Sequence, residues 1–304
     1  MPRLRAHLFG RLRVLLEGKE LEGLESRKVQ ELFCYLVIHR DRPHPRETLA
    51  SVLWEASSTA HSKKYLRQAL WQLQSAVRPS TGARLLEIDS EWVSLSPKAD
   101  LWVDVVTFED AFDLASGVTG AGLDDAAAQT LRAAANLYEG DLLEGWYLDW
   151  CLYYRERLQN MYLALLAKLM GYCEAQQEYE AGLVFGARIL QVDRAQERAH
   201  RRMMRLHALA GDRTAALRQY ERCRIALEEE LRVAPGRRSK ALLRQIQADR
   251  IPRPGLIPSE SVSQESTSPL LLVRLRELRA TLADIQRQIH RDIQSIERAL
   301  NGPR

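Results

Sequence analysis

The chain has 304 residues, enough to bury one large core or two domains. With 46% hydrophobic and 28% charged residues it has the makeup of a folded globular protein, which excludes a disordered or fibrous chain. The net charge of +4 hides an uneven distribution: residues 1–80 carry +6, residues 81–150 carry −11 and the remainder +9, so the head is the part suited to a polyanion.

Taken in order, residues 2–22 read as short alternating strands broken at Gly10 and Gly18. Ser26 occupies an N-cap position before a helix with Val29, Leu32, Phe33, Leu36 and Val37 on one face. Two prolines between Asp41 and Pro45 end that helix. A short second helix from Arg46 to Trp54 turns Leu49, Val52 and Leu53 inward, and Ser57, Ser58 and Thr59 break it.

The third helix, from His61 to Arg78, is the most informative stretch. Leu66, Leu70, Leu73 and Val77 form one buried stripe. Lys64, Gln68, Trp71, Gln72 and Ser75 point the other way, flanked by His61 and Arg67, and Lys63, Lys64 and Arg67 give positive charge along the entry and flank. Gln can pair with adenine edges and Arg with guanine, while Lys and Ser suit phosphates, so this face fits a DNA major groove. Trp71 is expected to pack beneath a neighbouring element rather than face water. Ser26, Arg27 and Lys28 could add backbone contacts at the free amides of a helix N-terminus. Segments 85–88 and 92–95, flanking Asp89, Ser90 and Glu91, complete the head as a β-hairpin, with Arg84 its only nearby cation.

Beyond Asp149 the pattern is helical. The triplets at 181–183 and 215–217 recur after 34 residues, the period of a tetratricopeptide repeat (TPR), with Tyr172 in register with Leu206 and Leu169 with Met203. Ala181 and Ala215 are the small residues expected to let the paired helices approach, and helices near 124–138 and 239–248 are expected to cap the stack. Residues 251–269 have linker composition. In 270–301, Leu275, Leu278, Leu282, Ile285 and Ile289 form part of a coiled-coil seam suited either to dimerisation or to docking on the chain's own body.

No enzyme constellation emerges. Phosphate-loop, zinc-protease, nucleophile-elbow and dinucleotide motifs are missing, and the histidines do not cluster at metal spacing. His200 and His207 lie two helical turns apart, too far for one ion, and Asp141 and Glu144 fit turn and capping roles. No cofactor is expected. Cys34, Cys151, Cys173 and Cys223 form no CxxC pair, and neither a signal peptide nor a membrane-length apolar run is evident, so a reducing cytoplasm is the expected compartment.

The order of elements, with segments 47–54, 65–77 and 99–112, resembles the OmpR-type winged-helix domain of the SARP (Streptomyces antibiotic regulatory protein) family. Segments 134–158 and 213–236 are similar to the start and end of the bacterial transcriptional activator domain that follows it in that family. The resemblance covers about residues 3–250 and departs from the family where Gln72 and Gln74 stand in place of frequent arginines. It implies an α+β winged helix over 1–100, an all-α TPR-like activator domain over 101–250, then the linker and the coiled-coil-like helix. It also implies a sequence-specific regulator, an activator that binds paired promoter half-sites in double-stranded DNA as a homodimer, contacts RNA polymerase and uses the 89–92 hairpin as its wing. The rival readings are a TPR scaffold whose basic head binds a protein and a ligand-gated sensor.

Overall fold

The computed structural model describes residues 4–55, 58–77 and 85–251. Arg84, the 252–269 part of the linker and the seam formed by Leu275, Leu278, Leu282, Ile285 and Ile289 lie outside these residues.

Strand β1 (Leu4–His7) pairs antiparallel with β2 (Arg13–Leu16), which pairs with β3 (Lys19–Glu20). The two residues between β2 and β3, Glu17 and Gly18, both have positive φ, as the tightest hairpin turns require. A strand far along the chain, β7 (Leu101–Val103), adds parallel to the other edge of β1, giving the order β3-β2-β1-β7. Helices α1 (Arg27–Ile38), α2 (Arg46–Leu53) and α3 (Thr59–Val77) follow, then the hairpin of β5 (Leu86–Ile88) and β6 (Trp92–Leu95). The two-residue strand β4 (His44–Pro45) joins that hairpin through β6. This is a winged helix, with the leucine stripe of α3 buried as expected. Val52 is a correction: it is 40% exposed, because in the eight-residue α2 only Leu49, Ala50 and Leu53 meet the core.

The rest of the described chain is helical: α4 (Asp104–Leu114), α5 (Asp125–Leu137), α6 (Asp149–Ala175), α7 (Tyr179–Val192), α8 (Glu197–Leu209), α9 (Arg213–Leu231) and α10 (Arg237–Gln247). The 34-residue repeat appears as two hairpins, α6–α7 and α8–α9. Close approach falls one residue later than expected: Gly182 and Ala216 are buried, whereas Ala181 and Ala215 are only partly covered. A Cβ on Gly182 would meet Leu206 Cδ1 at 2.9 Å, and one on Gly186 would meet Met203 Cγ at 2.6 Å. Helix α10 closes the end of the stack, Leu242 and Ile246 packing with Met204 and Ala216 in a small core of their own. Glu197 fastens it by accepting from Gly236 N at 2.8 Å.

Head and helices share one continuous core, running from Leu4 and Phe9 through Phe33 and Phe108 to Leu165 and Leu206. The loop at 141–146 adds to the head sheet: Gly10 N donates to Asp141 O, Leu143 N to Leu8 O and Glu144 N to Gly10 O, at 2.8 to 2.9 Å. Arg155 of α6 holds this loop by donating to the carbonyls of Leu142, Leu143 and Trp146. On the other side, the Asp104 carboxylate accepts from the amides of Leu8 and Phe9 at 2.8 to 3.0 Å. Burial pushes Asp104 up to about 6, although the Leu8, Phe9 and Val105 amides favour its charged form. Among the described residues no helix is long and apolar enough to cross a membrane.

Candidate nucleic-acid interface

The packing of α3 decides what it shows to water. Leu66, Ala69, Leu70, Leu73 and Val77 are buried against the head, and Ser62 anchors the first turn by donating from Oγ to Ser58 O at 2.9 Å. The opposite side therefore has to face outward. Lys63, Lys64, Arg67, Gln68, Trp71 and Ser75 are exposed and Gln72 is half-buried. Lys64, Gln68, Trp71 and Ser75 follow one line down the helix, about 16 Å long at 1.5 Å per residue.

The cations on this face differ in freedom. Lys63 Nζ lies 2.6 Å from Glu47 Oε1, an exposed pair that holds the Glu47 carboxyl below its usual range. Lys64 and Arg67 have no ion-pair partner among the described residues. Beside them the β5–β6 hairpin rises as a wing. Its tip is ordered by Asp89, whose Oδ1 accepts from Glu91 N at 2.8 Å and Trp92 N at 2.6 Å. These bonds turn the carboxylate onto its own turn and lower its pKa. Arg46 donates to Asp89 O at 3.1 Å, a second cation at the wing that the sequence reading passed over. Its position just after Pro45, at the first residue of α2, was the available signal. Between wing and helix lies a cleft of about 800 Å³ lined by Arg46, Lys63, Arg67, Glu47, Glu91 and Trp92. It carries three cations and two carboxylates, and one cation, Lys63, is already paired with Glu47.

Residues 103–247 match the bacterial transcriptional activator domain. The fold of the chain is also similar to that of Mycobacterium tuberculosis EmbR, in a structure of EmbR with a low affinity phosphopeptide. The two align with a TM-score of 0.69 at 20% identity, over 82% of this chain and 66% of the EmbR chain, just under two thirds of it. At that identity the likeness shows the fold. No curated protein matches by sequence. The domain match and the shared fold together bear out the resemblance to SARP-type transcriptional activators.

The other basic cluster, Ser26 to Lys28, has partners within the chain. Ser26 stands at the N-cap of α1, but its hydroxyl makes no capping bond, and its carbonyl accepts from Val29 N and Gln30 N. Arg27 lies over the Trp146 ring at 3.7 Å and pairs with Glu31. Lys28 bonds Glu31 at 2.7 Å and Leu53 O at 2.7 Å. The structure thus engages Arg27 and Lys28 internally, Arg27 against the activator domain itself. His200 lies between Arg194 O and Gln219, and burial lowers its pKa. All four cysteines are free and buried, which raises their thiols; Cys173 and Cys223 reach about 11.

Proposed function

We propose that this chain is a sequence-specific, double-stranded-DNA-binding transcription regulator of the SARP type, with α3 as its recognition helix. The observation that carries the reading is the outward line of α3, where Lys64 and Arg67 stand without ion-pair partners next to Gln68 and beside a wing. Lys64 and Arg67 supply the phosphate and guanine chemistry, and Gln68 and Gln72 suit adenine edges. The wing, with Arg46 beside its tip, lies against the adjoining backbone. The activator domain contacts RNA polymerase, and two copies occupy paired half-sites. The sequence seam over 270–301 contributes to dimerisation, and a chain cut after Asp249 that keeps the oligomeric state of the full chain refutes that part.

The central test uses the full chain to capture fragments from a random duplex pool, followed by affinity measurement across salt concentrations. Capture of a common sequence is expected, with affinity falling steeply as salt rises. Removing Lys64 and Arg67 together should reduce the salt slope by about two. A protein that captures no duplex, or one whose binding ignores salt, is instead a scaffold whose basic head binds protein.

A further inference from the structure

Trp71 runs against expectation. A tryptophan on this helix should pack under a neighbour, yet its side chain is 68% exposed and has no aromatic or cation partner among the described residues. It is not at a frayed end: Leu70 and Leu73 on either side of it are buried. Its neighbours on the outward line are Lys64 and Gln68 toward the N-terminus and Ser75 toward the C-terminus. A large indole in water has hydrophobic surface still to cover.

We propose that Trp71 is a specificity-determining residue that selects thymine by covering its 5-methyl group in the major groove. This rests on the DNA-binding reading of α3. The thymine methyl is the one apolar feature that unmodified base pairs present on the major-groove side, and cytosine lacks it. Gln68 stands three residues earlier on the same line, about 4.5 Å along the axis at 1.5 Å per residue, close to one base-pair step. Its amide suits the donor–acceptor pair of an adenine edge. Gln68 and Trp71 together therefore direct the helix to half-sites containing A·T pairs. Arg67 and Lys64 supply attraction without choosing these bases. The indole carries no charge, so its contribution is independent of counterion release.

Uracil tests this directly, because it pairs as thymine does but has no methyl group. The probe is the duplex that the full chain selects from a random pool, resynthesised with uracil replacing each thymine in turn. Wild type should lose about fourfold in affinity at one thymine per half-site, the worth of roughly one buried methyl. W71A should bind the all-thymine duplex about tenfold more weakly, as expected for a lost base contact. It should be indifferent to uracil at that position and keep the wild-type salt slope. W71F, retaining an apolar ring, should recover part of the discrimination. Circular dichroism of W71A should match wild type, since the indole supports no core. The assignment is overturned if wild type ignores every uracil, or if W71A discriminates as wild type does. It is also overturned if W71A changes the oligomeric state without DNA, which would place the indole between two copies. Failure to capture any duplex would remove the DNA-binding reading itself, an outcome distinct from these.

Discussion

Helices α1 and α3 each carry nearly the same triplet in or beside the first turns, Ser26-Arg27-Lys28 at the N-terminus of α1 and Ser62-Lys63-Lys64 from the fourth residue of α3, and use it in opposite ways. On α1, Glu31 follows at the spacing that reaches both cations, Trp146 receives the Arg27 guanidinium, and the Leu53 carbonyl takes Lys28. On α3, the residues three and four beyond Lys64 are Arg67 and Gln68, so nothing on the helix neutralises it. A basic cluster is therefore a binding surface only where the rest of the chain leaves it unanswered. The contrast can be broken or sharpened by four variants.

The largest effect should come from the support behind α1. Arg155 gathers three carbonyls of the loop that carries Trp146; Leu143 O also accepts from Trp146 N, so R155A leaves the Leu142 and Trp146 carbonyls unpaired and should cost about 3 to 4 kcal/mol of stability in denaturant unfolding. A loss under about 1 kcal/mol would mean that the loop is held by its apolar contacts alone.

Next comes Asp104. Its pKa is about 6 in the folded chain against an ordinary 3.8, so the folded state binds this proton more tightly than the unfolded one. The resulting stabilisation is full below about pH 4 and is lost as pH rises through about 6, a change of about 3 kcal/mol at 1.36 kcal/mol per unit. D104N removes the titration and also places an NH₂ group before the Leu8 and Phe9 amides. It should be less stable than wild type throughout, with the gap wider at pH 4 than at pH 7. Parallel stability–pH curves for the two proteins would refute the assignment.

The head provides the paired test. K64A/R67A should weaken DNA binding by about 2 kcal/mol at low salt while leaving thermal unfolding unchanged, since both side chains are exposed. R27A should do the reverse, lowering stability by about 1 kcal/mol through the lost contact with Trp146 and leaving DNA affinity unchanged. If R27A weakens DNA binding as much as K64A/R67A does, the two helices play the same role and the comparison fails.

Much of this could be read from local pattern. The stripe of Leu66, Leu70, Leu73 and Val77, the wing hairpin and the 34-residue helical repeat all follow from periodicity, which depends only on near neighbours. What escaped depends on residues distant in the chain. The parallel pairing of Leu4–Ala6 with Leu101–Val103 and the clamp of Asp104 on Leu8 span more than ninety residues. Arg27 read as a free cation because Trp146 lies over a hundred positions away. Trp71 escaped for a different reason: a composition-based expectation of burial yielded to the geometry of the leucine stripe, which leaves position 71 no core to enter.

The bond between Asp104 and the first strand has a practical consequence. A fragment ending near residue 100 would take α3 with it but leave the Leu8 and Phe9 amides without their acceptor. The same cut removes β7 from the edge of β1 and uncovers the apolar side of Phe9. The reading head is thus not a detachable cassette. It is the outer layer of a body whose interior belongs equally to the helices behind it.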